Sequence, residues 1–179
     1  MKILKPKIKS VENNSFTESI NDNSFMNSFY DENVDLLDCR FESCDLSNKE
    51  FDNKLIERVE FINCRMEGTS FINTIIKDVS FIDCKANLTN FADAKINSMV
   101  IDNSNFQEMS FLETKVKNLM LNKVDFEKAT IFKTNLKDVD FSTSKITDIM
   151  FDNESIRGII IDKFQSHELV SMLDVKFKD

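Results

Sequence analysis

Every fifth residue from Leu36 to Ile161 is apolar, 26 positions without an exception. With 41% of the chain hydrophobic, chance would give such a run with a probability on the order of 10⁻¹⁰, so the period is a structural constraint. Eleven of the 17 Phe fall on it: Phe41, Phe51, Phe61, Phe71, Phe81, Phe91, Phe106, Phe111, Phe126, Phe141 and Phe151. A step of five suits neither regular element. It rotates about 140° around an α-helix and, being odd, changes face on a straight strand. The chain must therefore turn once per repeat. If the fifth-position residue is the centre i of a pentad, i−2 shares its inward side and i+1 and i+2 make the corner. The i−2 residues are mostly small or β-branched, among them Val34, Cys39, Cys44, Val59, Cys64, Thr69, Thr74 and Val79, and the corners carry turn formers, as in Ile62-Asn63 and Ile82-Asp83.

A second period gives the number of turns per coil. Val59-Glu60-Phe61-Ile62-Asn63-Cys64 recurs 20 residues later as Val79-Ser80-Phe81-Ile82-Asp83-Cys84, so four pentads close one coil. Residues 34–163 then hold 26 uninterrupted pentads, six and a half coils, a rod roughly 31 Å long at the ~4.8 Å spacing of hydrogen-bonded strands. Three residues sit badly in this count: Lys49, Lys54 and Glu154 fall on inward i−2 positions. They predict distorted coils, or charged groups that reach an opening, at the two ends.

The pattern resembles the pentapeptide-repeat family. That resemblance implies an all-β fold, a right-handed quadrilateral parallel β-helix with a short C-terminal α-helix. The expected divisions are an irregular N-terminal coil or cap (1–33), the β-helix (34–163), and a helix and tail for capping or dimerisation (164–179). Asn14-Ser15-Phe16-Thr17 and Asn23-Ser24-Phe25-Met26-Asn27 are similar to the irregular first coil of the Qnr-type quinolone-resistance members. Ile156-Arg157-Gly158-Ile159-Ile160-Ile161-Asp162-Lys163-Phe164-Gln165-Ser166 through Leu173 resembles their C-terminal end, which joins two copies head to head. Phe164, Leu169, Val170, Met172 and Leu173 are then the expected dimer contacts, with Ser166 as helix N-cap. The alternative is a helix that only covers the open end of the solenoid.

Composition removes most chemistry. Two Gly, one Pro and no Trp leave no Gly-rich phosphate loop. His167 is the single histidine, without a second member nearby for general-base or nucleophilic work. Cys44, Cys64 and Cys84 form one inward column in which the outer two would lie about 9.6 Å apart, too far to share zinc. They read as buried small hydrophobes. No enzyme activity, cofactor or metal is expected. The net charge of −8 opposes direct nucleic-acid binding. The N-terminal Lys residues are not followed by an apolar stretch, and no run long enough to span a membrane occurs. A cytoplasmic protein with reduced cysteines is expected.

Function then rests on the surface. The face centred on Ile56, Ile76, Ile96, Val116 and Leu136 is the basic one, lined by Lys77, Lys95, Lys115, Lys117, Lys137 and Arg157. Acid is spread over the other three. On the Phe61 face, Ile62, Ile82, Val100 and Met120 are expected to project outwards in a row beside Asp83 and Asp102. On the Phe71 face Ile72, Leu112, Phe132 and Met150 do the same. Such rows are contact surfaces or tolerated apolar residues on a flat sheet. The resemblance implies a dimeric acidic rod that mimics DNA and protects DNA gyrase or a related topoisomerase from quinolones or toxins. The strongly protecting Qnr-type proteins carry loops between coils, for which residues 34–163 leave no room. The alternative is a scaffold or regulator with another protein partner.

Overall fold

The computed structural model describes residues 3–7, 10–11, 19–21, 23–26 and 35–171. The strands are β1 (Ser10–Val11), β2 (Ser19–Asn21), β3 (Asn23–Met26), β4 (Asp35–Glu42), β5 (Leu55–Ile62), β6 (Ile75–Ile82), β7 (Lys95–Ile96), β8 (Met99–Asp102), β9 (Ser110–Leu112), β10 (Lys115–Val116), β11 (Leu119–Asn122), β12 (Thr130–Phe132) and β13 (Met150–Phe151). A 3₁₀ turn at Lys163–Gln165 leads into the one α-helix among the described residues, α1 (Ser166–Ser171). Every strand pairing among the described residues is parallel, and the pairings from β4 onwards join residues 20 positions apart, as in Phe41↔Phe61, Phe61↔Phe81 and Phe81↔Ile101. The result is a parallel β-solenoid of about six turns, with four faces per turn. Face 1 is centred on Leu36, Ile56 and their successors, face 2 on Phe41 and Phe61, face 3 on Leu46 and Met66, and face 4 on Phe51 and Phe71.

The core is the filled axis of this coil. Phe41, Phe51, Phe61, Phe71, Phe81, Phe91, Phe106, Phe111, Phe126 and Phe141 are fully buried, and Phe151 near the C-terminal end is 8% exposed. On face 2 the Phe41, Phe61 and Phe81 rings stack at 5.2 and 5.1 Å, and on face 4 Phe51, Phe71 and Phe91 stack at 5.3 and 4.8 Å. Beyond these the rings turn edge-on, as in Phe81 to Phe106 at 5.5 Å and 84°. Such contacts are worth about 0.5–1.5 kcal/mol each beyond the area they bury. The i−2 hydroxyls and thiols satisfy carbonyls of the coil beneath: Thr74 Oγ1 donates to Phe51 O at 2.7 Å, Thr114 Oγ1 to Phe91 O at 2.8 Å, and Cys84 Sγ to Phe61 O at 3.4 Å.

Turning after five residues demands left-handed backbone at the corner. Among the described residues all 21 with positive φ are i+2 residues, and 19 of them are not glycine. The corners come in two forms. A closed corner has a hydrogen bond from the residue after the corner back to the centre, as in Thr69 N–H to Met66 O at 3.2 Å and Ala129 N–H to Phe126 O at 3.0 Å; with the left-handed residue third, this is a type II turn. An open corner lets the strand run on, as in β4, β5 and β6, which span faces 1 and 2. Asx side chains mark many closed corners: Asn105 Oδ1, Asp125 Oδ1 and Asp45 Oδ1 each accept the N–H two residues ahead.

Between the fifth coil and the sixth, faces 1 and 2 come apart. Lys117 N–H bonds Ile96 O, and Asn97 N–H bonds Ile76 O, but Lys137 N–H turns to Asn135 Oδ1 at 3.0 Å, and Ser142 N–H to Asp140 Oδ1 at 2.8 Å. Both corners there are closed, by Val139 N–H to Leu136 O and Ser144 N–H to Phe141 O. Among the described residues, no backbone hydrogen bond joins 115–122 to 135–142. Faces 3 and 4 continue across, through Asp125↔Lys145 and Thr130↔Met150. Val116 and Leu121, on the open side, are only half-buried, whereas Leu136 and Phe141 are fully buried.

The ends depart from the pentad count. β2 and β3 pair with β4 at a 16-residue offset, Ile20↔Leu36 and Phe25↔Phe41, so this coil is short by four residues. Asn14–Thr17 lie outside the described residues. Lys49 and Lys54 are not inward core groups but half-buried, while Thr69 and Thr74 in the next coil of the same columns are buried; an ammonium is costly to bury. Glu154 does not point inwards either. Ser155 takes the inward place, with no exposure, and its Oγ accepts Thr134 N–H at 2.9 Å. A helical turn, Ile156 N–H to Asp152 O at 3.2 Å with Ser155 N–H on Asp152 Oδ1 at 2.8 Å, supplies the one-residue shift that puts Glu154 outside. The 26 pentads are thus interrupted once.

Candidate interaction surface

Face 2 presents two outer columns, each fixed by the 20-residue register. The i−1 column runs Arg40, Glu60, Ser80, Val100, Met120, and the i+1 column runs Glu42, Ile62, Ile82, Asp102, Asn122. Ile62 and Ile82 therefore stand in one column and Val100 and Met120 in the other. The expected single row is two pairs set diagonally, because i−1 and i+1 both point outwards on either side of a centre. Ile62, Ile82 and Val100 are half-buried, and Met120 is 45% exposed. The residues expected on face 4 divide likewise: Leu112 pairs with Phe132, while Met150 pairs with Thr130 in the neighbouring column.

Two carboxylates of face 2 are held by side-chain amides. Asp102 Oδ1 accepts Asn122 Nδ2 at 2.7 Å, and Asp83 Oδ1 accepts Asn103 Nδ2 at 2.5 Å. Both aspartates are thus held in place by neutral donors one coil further on. On faces 3 and 4 acids meet cations: Glu113 with Lys133 at 2.6 Å, Asp45 with Arg65 at 3.7 Å, and Glu127 and Asp125 with Lys145. The Lys145 ammonium holds the Glu127 carboxyl below its ordinary value, and Glu127 in turn raises Lys145. Near the N-terminal end of face 2, Glu60 is buried and takes Arg40 Nη2 at 2.7 Å and Lys5 Nζ at 3.5 Å. Asp83 and Asp102 are thus face-2 carboxylates that, like Glu42 and Asp140, no ion pair neutralises among the described residues, and that a neutral side chain of the next coil holds in place.

At the C-terminal end Phe164 is 76% exposed, Val170 is half-buried, and Leu169 packs against the core. Met172 and Leu173 lie outside the described residues. The cap is Asp162, not Ser166: Asp162 Oδ1 accepts Phe164 N–H at 2.9 Å, and Gln165 Oε1 accepts Asp162 N–H at 2.7 Å, a reciprocal capping box. Ser166 is already helical, and its hydroxyl donates back to Lys163 O. Gln165 Nε2 donates to Phe141 O and Ser144 O at 3.0 and 2.6 Å, satisfying carbonyls that the next coil would have met.

The cysteines are all free and buried. Although a hydrogen bond with Cys44 acts the other way, the bond to Cys84 and burial push the Cys64 thiol up to about 12, far from a thiolate at neutral pH. No three His, Cys, Asp or Glu side chains converge on a common point among the described residues. His167 is exposed beside Glu168. No helix among the described residues is long and apolar enough to cross a membrane.

A solenoid of five-residue turns that offers side-chain columns to its surroundings defines the class. The pentapeptide repeat region model matches residues 34–111 and 54–131, which together cover more than half of the chain, and the chain belongs to the pentapeptide-repeat family. Proteins of this family are in general non-catalytic structural or interaction proteins. Among solved structures the chain is similar to a trypsin-treated variant of QnrB1, a plasmid-mediated fluoroquinolone resistance protein, at 18% identity, covering 90% of each chain with a TM-score of 0.43. It is also similar to Rfr23, a pentapeptide repeat protein from the cyanobacterium Cyanothece 51142, at 12% identity, covering 69% of this chain and 88% of that one with a TM-score of 0.32. No curated protein sequence matches it.

Proposed function

We propose that this protein binds a protein partner through face 2, and that the partner is a DNA-handling enzyme of the gyrase class, protected by occupation of its basic DNA-binding surface. The observation that carries this reading is the pair Asp83 and Asp102, fixed by Asn103 and Asn122 and not neutralised by a cation. Pre-positioned charge next to a partly apolar patch favours a basic protein surface, because little side-chain freedom is lost on docking. The resemblance of the C-terminal segment to the Qnr-type proteins adds a two-copy arrangement, with Phe164 as contact. The test is DNA supercoiling by gyrase with and without ciprofloxacin at micromolar protein. Partial rescue is expected, with a loss of rescue in the double variant Asp83→Lys, Asp102→Lys. Supercoiling unchanged by the wild-type protein overturns the gyrase assignment.

A scaffold with a different partner is the second reading, favoured by charge density. Duplex DNA carries one charge per about 1.7 Å, some 18 over a rod of roughly 31 Å, against a net charge of −8 for the whole chain. Face 1, moreover, carries the opposite sign.

A further inference from the structure

We propose that the edge running over faces 1 and 2 where the fifth and sixth coils part, with the cations of face 1 beside it, is a docking surface for an extended acidic segment of a partner protein. Lys95, Lys115, Lys117, Lys137 and Arg157 are all exposed on this face. None lies within ion-pair distance of a carboxylate among the described residues. In a chain with 31 acidic residues against 23 basic ones, five unmatched cations on one face run against the composition. The nearest comparison is Lys77, on the same face two coils earlier, which meets Glu57 at 3.7 Å.

The backbone supplies the second half of the site. The N–H groups of Met99, in β8, and of Asn103, just after it, bond forward to Asn118 O and Asn122 O. One coil on, the Lys123 N–H meets only the Thr143 hydroxyl, and the forward-facing N–H and C=O groups of Leu119 and Leu121 in β11 have no backbone partner among the described residues, because Asn135 and Asp140 have drawn the sixth coil into closed corners. A strand edge of this kind is a template for an added extended chain. Half-buried Val116 and Leu121 lie along it. Lys115 and Lys117 flank Val116 on the outward side, about 6.6 Å apart along the strand, the repeat of alternate residues in an extended peptide. A segment with acids at alternate positions and apolar residues between them matches both columns.

The same edge discriminates against a nucleic acid. It offers carbonyls as well as N–H groups; a peptide backbone answers both, whereas a phosphodiester has acceptors only, and the acid on the other three faces repels a polyphosphate. The inference rests on the chain being an interaction protein and not on gyrase as its partner.

The probe is a fluorescein-labelled ten-residue peptide of alternating Glu and Val, titrated with the full-length protein and followed by anisotropy. Saturable binding is expected. It should weaken about tenfold in the double variant Lys117→Glu, Lys137→Glu, and change less than about twofold in Lys85→Glu, on face 3. Slower hydrogen exchange of the Leu119 and Leu121 amides in the complex is the second readout. Absence of saturable binding overturns the proposal. So does binding that the face-1 double variant leaves unchanged, or tighter binding of a 20-residue thymidine oligonucleotide than of the peptide. These outcomes are independent of the supercoiling assay, so either reading fails alone.

Discussion

At the scale of the residue, the fold is governed by what each corner asks of its i+2 position. Leu88 holds φ +60° while 56% exposed, a left-handed conformation that costs an ordinary L-residue roughly 1–2 kcal/mol and asparagine less. Leu88→Asn is therefore expected to raise the unfolding free energy by about 0.5–1 kcal/mol, measured by chemical denaturation; no change or a loss contradicts the corner argument. Asp38 is also left-handed, at φ +54°, and carries a second load. Arg58 donates Nε to Oδ1 and Nη2 to Oδ2, both at 2.7 Å, and Lys7 N–H donates at 3.0 Å. The Arg58 bonds hold the Asp38 carboxyl below its ordinary value, against the opposing push of burial, with Lys7 N–H helping. With the folded-state value depressed, the stabilisation is complete above the ordinary carboxylate range near pH 4 and is lost as pH falls through the lower folded value. Asp38→Asn keeps the shape and removes the charge. It is expected to lower stability at pH 7 by about 1 kcal/mol and to flatten the decline below pH 4, seen in denaturation curves taken across that range.

At the scale of the element, the pentad period reads out the inward and outward sides of nearly every rung, because one apolar centre per turn is a demand no other element makes. What it leaves out is local. The one-residue shift at Ser155 follows from Asp152 capping a helical turn, and a five-residue count contains no term for that. The outward row expected from Ile62, Ile82, Val100 and Met120 split because face membership does not specify a column. The break between coils was legible in principle: face 1 reads Leu55, Ile75, Lys95 and Lys115 at i−1, then Asn135, and face 2 reads Ser80, Val100 and Met120, then Asp140. There the Asx side chain takes the i+1 N–H that the open corners of the earlier coils send back to the previous coil; on face 3, where closed corners lie on closed corners, the same capture by Asn105 and Asp125 parts nothing. The amides of Leu119 and Leu121 are accordingly expected to exchange hydrogen at least about tenfold faster than those of Val79 and Phe81, which lie within the unbroken sheet. Equal protection in the free protein would contradict the break.

At the scale of the whole molecule, each coil is supported only by its neighbours, so the two ends decide solubility. The N-terminal side is met by the short coil that pairs with β4 and by residues 3–7, whose Lys5 and Lys7 reach Glu60 and Asp38. The C-terminal side is closed by Gln165 and Leu169, which leaves Phe164 as the large apolar group turned outwards. A second copy is the occupant proposed for it. Light scattering is expected to give twice the chain mass for the wild type and the single mass for Phe164→Ser, a change at an exposed site that spares the cap; an unaltered mass in the variant removes Phe164 from the interface.

The half-cut ladder also bears on mechanics. A bar notched through two of its four sides yields about the intact pair, so bending here opens faces 1 and 2 with faces 3 and 4 acting as the spine. The direction of easiest bending is thereby built in, and it lies in the last coil and a half, beyond Lys133.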